Sequence, residues 1–205
     1  MSRDWALPGL LETGAVNDRI MAVRDGLVNF FVVRAPDGLV LVDAGWRQES
    51  VAAGFEKLGL RIEDVAAVFL THAHWDHARC ADLYPNAKVF PGHATLPSGG
   101  CLNSADREIG VPREIAGLII KAIATPGHTP DSVCYLVDGK YLFTGDTIFM
   151  RNGRAHLFPS RHNRDQDAAR HSIRKLARLE GIECILTAHT GAAFDADEAF
   201  RNWRD

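Results

Sequence analysis

Thr71-His72-Ala73-His74-Trp75-Asp76-His77 sets three imidazoles and a carboxylate directly behind the apolar run Val65 to Leu70. A strand directs alternate side chains to one side, so His72 and His74 at the end of that run point together at a single target. Asp76 and His77 fall just past the strand end, where the turning chain aims two more donors from another direction. Imidazole nitrogen and carboxylate oxygen together suit zinc, and iron or manganese fit the same donors. The plainer reading is a polar loop rich in histidine. The chain has nine His in 205 residues, which makes this clustering hard to assign to chance.

The second half supplies more donors of the same kind. Leu118 to Ala124 predicts a buried strand that runs into Thr125-Pro126-Gly127-His128-Thr129-Pro130, so His128 is placed by backbone and not by a helix face. Ser132 to Val137 and Lys140 to Thr144 predict a hairpin across Asp138-Gly139 that ends in Gly145-Asp146. Ile182 to Thr187 predicts a further strand, with Ala188-His189-Thr190-Gly191 at its exit. His72, His74, Asp76, His77, His128, Asp146 and His189 therefore all follow, or nearly follow, predicted strands. Strand ends on one edge of a sheet core converge, and this many ligand-type side chains can hold two ions. His93, after Pro91-Gly92, has no donor beside it and reads as pocket wall or surface.

In the first half, Leu27 to Arg34 and Leu39 to Val42 predict a hairpin across Ala35-Pro36-Asp37-Gly38, closed by Asp43-Ala44-Gly45. Asp43 has two readings: it orients a metal ligand from behind, or it caps the helix expected over Gln48 to Leu58. Residues 1–26 mix apolar positions with Pro8, Gly9 and Gly14, which predicts an edge strand and connections. Ala78 to Tyr84 predicts a turn or two of helix after His77, and Ala87 to Phe90 a short strand. Residues 94–117 hold repeated Gly and Pro without a sustained period, which predicts a long connection forming a wall or lid of the substrate site. Asp165 to Leu179 has helical spacing with an arginine-rich face read as solvated, and Asp195 to Trp203 predicts a last helix. The strand–Gly–Asp ending at Gly145-Asp146 echoes Asp43-Ala44-Gly45 in the first half, which suggests two related β-rich halves facing each other.

The chain length fits one domain over residues 1–205, and 46% apolar with 24% charged residues is ordinary for a globular protein. A formal net charge of −3 gives no positive field for nucleic acid, and no stretch approaches the length of a membrane span. Cys80, Cys101, Cys134 and Cys184 form no C-x-x-C pair. With no secretion signal evident, they read as reduced core thiols in a cytoplasmic protein. The expected partner is a small-molecule substrate, and a homodimer stays open.

This arrangement resembles the metallo-β-lactamase superfamily, through His72, His74, Asp76 and His77, then His128, Asp146 and His189, with element order matching along the whole chain. The resemblance implies an α+β fold, a four-layer αββα sandwich. It implies two Zn2+ per chain: His72, His74 and His128 hold one, Asp76, His77 and His189 the second, and Asp146 bridges both. Asp43 matches the family's supporting first-strand Asp. The implied activity is a dinuclear metal-dependent hydrolase, in which a metal-bridging hydroxide attacks an acyl carbon and Asp76 accepts a proton. True β-lactamases of this fold generally lack the bridging Asp, and lactone-hydrolysing relatives carry Tyr where this chain has Phe149. The short glyoxalase II-like group, which hydrolyses thioesters, is nearer, through Gly153-Arg154 and Phe158-Pro159. Two departures stand against it: Arg79 replaces that group's Gly, and only 16 residues follow His189. Arg79 and Arg154 are candidate substrate contacts, along with Arg151, Arg161 and His162; Arg79 reads equally as the partner of a surface carboxylate. The same ligand set leaves two other activities open, a single-iron persulfide dioxygenase and a small-nucleotide phosphodiesterase.

Overall fold

The central strands are largely buried on both faces, so their sequences run as nearly continuous apolar stretches instead of alternating. In a computed structural model describing residues 9–91 and 110–204, the strands form two six-stranded sheets. The first sheet comprises β1 (Gly14–Ala15), β2 (Ile20–Asp25), β3 (Val28–Ala35), β4 (Gly38–Val42), β5 (Val65–Leu70) and β6 (Lys88–Pro91), side by side in chain order. Its last two pairings, β4 with β5 and β5 with β6, are parallel. Helix α1 (Gln48–Leu58) makes the crossover from β4 to β5, and α2 (Trp75–Ala78) lies on the way to β6.

The second sheet is ordered β14 (Gly191–Ala193), β13 (Cys184–Thr187), β10 (Tyr141–Phe143), β9 (Val133–Val137), β8 (Leu118–Ala124) and β7 (Pro112–Ile115). A small ribbon of β11 (Phe149–Arg151) and β12 (Arg154–His156) and helix α3 (Gln166–Ala177) connect β10 to β13, which pair in parallel. Helix α4 (Ala196–Ala199) follows β14.

Three apolar layers hold these parts together. Between the sheets, Phe31, Val40, Val42 and Phe69 of the first meet Ile120, Tyr135, Val137, Phe143 and Leu186 of the second. Outside the first sheet, Val51 and Phe55 of α1 and Tyr84 pack on Val23, Phe30, Leu41 and Leu70. Outside the second, Ile173 and Leu176 of α3 and Phe200 pack on Cys134, Leu142 and Ile185. The result is the αββα sandwich.

Several expectations change in detail. β2 is an interior strand paired with β3 along its whole length, and the edge is the two-residue β1. The helix expected from Ala78 begins earlier, at Trp75, so Asp76 and His77 sit on α2; a separate 3-10 turn follows over Ala81–Leu83. The connection expected over 94–117 includes strand β7, paired antiparallel with β8; its residues 94–109, with Cys101, lie outside the described residues, as does His93. The last helix is broken into α4 and a 3-10 turn at Arg201–Trp203. Helix α3 is capped by Asp165, whose side chain accepts from the N–H groups of Asp167 and Ala168. Cys80, Cys134 and Cys184 are buried free thiols.

Candidate metal centre

The donor-bearing segments all leave the sheets at one edge, and hydrogen bonds across the sandwich draw them together. Thr71, after β5, accepts from Val133 N–H at 2.8 Å through its carbonyl. Ala188, after β13, accepts from Asn29 N–H at 2.7 Å. The close approach also depends on Gly145, at φ +50°, between β10 and Asp146; a Cβ there would lie 2.5 Å from Thr71 Oγ1. Only glycine lets the two donor-bearing ends come so near.

Seven side chains gather in two groups. The donor atoms of His72, His74, His128 and Asp146 lie within 4.8 Å of one another, as do those of Asp76, His77 and His189. Asp146 faces both. Its Oδ2 is 3.3 Å from His128 Nε2 and 4.0 Å from His72 Nε2, while Oδ1 is 3.4 Å from His77 Nε2 and 3.3 Å from His189 Nε2. His74 Nδ1 and His128 Nε2 are 3.0 Å apart. Asp76 Oδ2 stands 3.7 Å from His77 Nε2 and 3.5 Å from His189 Nε2. Two nitrogens on one tetrahedral zinc, each bonded at about 2.0–2.1 Å, are about 3.3 Å apart, so these spacings suit shared cations. His72 Nε2, His77 Nε2 and Asp146 Oδ1 are buried with no hydrogen-bond partner. Such atoms are costly to leave unpaired, and a cation would satisfy them.

For His72, His77 and His189, contacts on the outer face of the ring explain why the inner nitrogen is bare; His128 Nδ1 has no such partner. Asp43, turned at φ +63°, is buried behind β5. It accepts from Thr71 N–H at 2.8 Å and Thr71 Oγ1 at 3.0 Å through Oδ1, and from His77 Nδ1 at 2.7 Å through Oδ2. With its one proton given to Asp43, the Thr71 hydroxyl can only accept from His72 Nδ1, at 3.1 Å. His189 donates through Nδ1 to the Leu27 carbonyl at 2.6 Å. His72, His77 and His189 thus each engage a partner through the outer nitrogen and turn the inner one to the centre, the orientation in which a neutral imidazole ligates a cation. Asp43 caps nothing: the residue preceding α1 is Arg47, without a side-chain cap. Of its two readings, orienting the imidazoles is the one the geometry takes up.

Electrostatics divide the histidines. Burial, reinforced by His77, holds His72 well below its ordinary range, and burial lowers His128 as well. Burial also opposes charge on His77 and His189, yet carboxylates outweigh it and raise both: Asp43 and Asp146 for His77, Asp146 for His189. Asp146 is held well below the carboxylate range despite its burial, because His189 and His77 face it. It stays ionised and available as a ligand.

A cavity of about 690 Å³ opens onto the two groups. It is lined by His74, Asp76, His128, Asp146 and His189 together with Leu27, Trp46, Trp75, Phe149, Phe158, Arg161 and His162. Of the expected substrate contacts, Arg161 and His162 are there. Arg154 is not: its guanidinium is held by Glu198 at 2.7 and 2.9 Å, on the α4 side of the ribbon. Arg79 is exposed at the end of α2 and does not line the cavity; Arg151 is likewise exposed and apart from it. The sequence assigns no site role to Leu27, Trp46 or Thr71. Each had a signal: a hairpin tip after Asp25-Gly26, an aromatic directly after Asp43-Ala44-Gly45, and a hydroxyl directly before His72.

Comparisons with known proteins agree with this geometry. Residues 23–97 and 102–189 match the sequence profile of the Metallo-beta-lactamase superfamily. The chain is 32% identical over 123 residues to the "Probable polyketide biosynthesis zinc-dependent hydrolase BaeB" of Bacillus velezensis, across 57% of this chain and 52% of that protein. It is 30% identical over 167 residues to the hydroxyacylglutathione hydrolase of Chromohalobacter salexigens, across 80% of this chain and 60% of that protein. The chain thus spans little more than half the length of these curated relatives. Among solved structures, a metallo-beta-lactamase family protein from Thermus thermophilus superimposes with a TM-score of 0.68 at 18% identity, covering 92% of this chain and 79% of that one.

Proposed function

The chain belongs to the metallo-β-lactamase superfamily, and from that premise we propose that it is a metal-dependent hydrolase of esters or thioesters with two zinc ions sharing Asp146. The observation that carries this reading is the division of the Asp146 carboxylate, with one oxygen turned to each donor group. His72, His74 and His128 would hold one ion, and Asp76, His77 and His189 the other. When bound, the ions would supply a water acidic enough to ionise near neutral pH and would polarise the acyl carbonyl.

The chain's own residues do the rest. Asp43 and Thr71 fix the tautomer and orientation of His72 and His77, and the Leu27 carbonyl does so for His189. Asp76 lines the cavity beside His189 and is placed to accept a proton as the leaving group departs. A leaving thiolate, with a pKa of about 8.5, needs no strong general acid. Trp46, Trp75 and Phe158 line the approach to the donor groups with apolar surface.

The printed names of two relatives, a zinc-dependent hydrolase and a hydroxyacylglutathione hydrolase, support zinc and acyl substrates. A single-iron dioxygenase would need only His72, His128 and Asp146. The second group, with His77 and His189 each oriented from behind, favours two ions. The test is hydrolysis of small thioesters and aryl esters by protein purified without chelator, lost on chelation and restored by zinc. Cleavage of bis-nitrophenyl phosphate with no ester or thioester hydrolysis would move the assignment to a phosphodiesterase.

A further inference from the structure

The walls of the cavity carry information about the acyl group, an inference that rests on the hydrolase reading above. One wall comes from the first sheet: Leu27 at the β2–β3 tip, Trp46 after β4 and Trp75 at the start of α2. Leu27 and Trp75 are 56% and 54% exposed, and with Trp46 they form one apolar wall of the cavity, the kind of grouped patch that marks a ligand-binding groove. The other wall comes from the ribbon region: Phe149 packs edge-on against Phe158, ring centroids 5.5 Å apart, and Phe158 lies over His128 at 6.3 Å.

The first wall is built and braced. Trp46 and Trp75 meet edge to face, centroids 4.4 Å apart. Asp25, fully buried, accepts from the N–H groups of Trp46 and Arg47 at 2.7 and 2.8 Å and from Arg47 Nε at 3.0 Å. The Arg47 guanidinium in turn lies 4.6 Å from the centre of the Trp46 ring. Asp25 therefore locks the segment after β4 to the β2–β3 hairpin and fixes Trp46 beside Leu27. Apart from the proposed metal ligands, the charged side chain lining this cavity among the described residues is Arg161, which is exposed. Among the described residues these walls are mainly apolar, with Arg161 and His162 at the exposed rim.

We propose that this cavity selects substrates by an apolar chain or ring on the acyl side, seated against Leu27, Trp46 and Trp75 and against Phe149 and Phe158. Selectivity then grows with apolar area buried. A methylene taken wholly out of water favours binding about fourfold, and about twofold when half covered. Across six methylenes, octanoyl should exceed acetyl by about 60-fold or more in kcat/KM.

The experiment uses the zinc-loaded protein and a series of S-acyl-N-acetylcysteamine thioesters from acetyl to octanoyl, with phenylacetyl as the aromatic member. The expected result is a rising profile whose octanoyl-to-acetyl ratio falls at least tenfold in Trp46→Ala and in Leu27→Ser, with zinc content matching the parent. Leu27→Ser keeps the backbone carbonyl that orients His189. Turnover with a flat or falling profile would overturn the proposal and leave the hydrolase reading standing. If no thioester or ester turns over, the hydrolase reading fails, and binding decides the cavity. Non-hydrolysable octyl and ethyl thioethers are then titrated by quenching of tryptophan fluorescence, with Trp46→Phe as reference. Octyl binding at least tenfold tighter would uphold the apolar site, and equal affinities would overturn it.

Discussion

Asp43→Asn isolates the carboxylate behind the metal centre with minimal change of shape. Asparagine tolerates the φ of +63° at this position, so the backbone keeps its course. The side chain now has one acceptor where three donors converge: Thr71 N–H, Thr71 Oγ1 and His77 Nδ1. If the amide oxygen keeps Thr71, its NH2 meets His77 Nδ1 at a spacing of 2.7 Å, donor against donor. If the amide flips, the clash moves to Thr71. Either way a buried donor is unsatisfied, at a cost of about 1–3 kcal/mol. His77 can escape only by shifting its proton to Nε2, the atom turned to the centre. Loss of such an orienting partner weakens metal binding about 10- to 100-fold, or about 1.4–2.7 kcal/mol. A competition titration against a chromophoric zinc chelator should show at least one zinc constant falling by that factor, since Asp43 holds His77 of one group directly and His72 of the other through Thr71. Both constants unchanged within about twofold would refute this account of Asp43.

Further outcomes follow from other parts of the molecule. Gly145→Ala should lose about 3 kcal/mol in urea unfolding, from left-handed strain of about 1–2 kcal/mol and forced overpacking against Thr71. Gly139→Ala, with φ +70° but nothing near its Cβ, should lose only about 1–2 kcal/mol; equal losses would contradict the close approach at Gly145. Chelation should lower thermal stability, because zinc at a thousandfold excess over its Kd stabilises a fold by about 4 kcal/mol, and an unchanged melting temperature would count against resident metal. Burial pushes the thiols of Cys80 and Cys134 up to about 11 and Cys184 to about 12. Raised values favour the neutral form, so stability is retained below the free-thiol pKa and falls as pH rises from about 9 through 11. Peptide mapping after iodoacetamide treatment at pH 8 should leave these three thiols unlabelled in the folded protein, and their labelling at the rate of a free thiol would refute their burial.

How much of this was legible in the sequence depends on what each feature rests on. The donors were legible because each follows a strand, and a strand exit flanked by Gly or Pro is written locally, as at Gly127-His128 and Gly145-Asp146. β2 was not read as interior because both its faces are buried, which removes the alternation that marks a strand. Trp75 to Ala78 gave no helical signal, since a four-residue helix that carries two metal-type donors has no apolar periodicity to show. Arg154 was misplaced for a different reason: its position is set by Glu198, 44 residues later in the chain. The cavity wall was invisible for the same cause. Leu27, Trp46 and Trp75 lie on three separate connections, and the buried Asp25, paired with the exposed Arg47, ties the first two together.

Asp146 shared between two zinc ions is the central claim, and metal stoichiometry tests it most directly. Elemental analysis of protein purified without chelator, repeated after zinc reconstitution and dialysis, should give close to two zinc per chain, with Asp146→Ala retaining one or fewer. A parent protein that holds a single ion after reconstitution, or two ions that Asp146→Ala keeps, would contradict it.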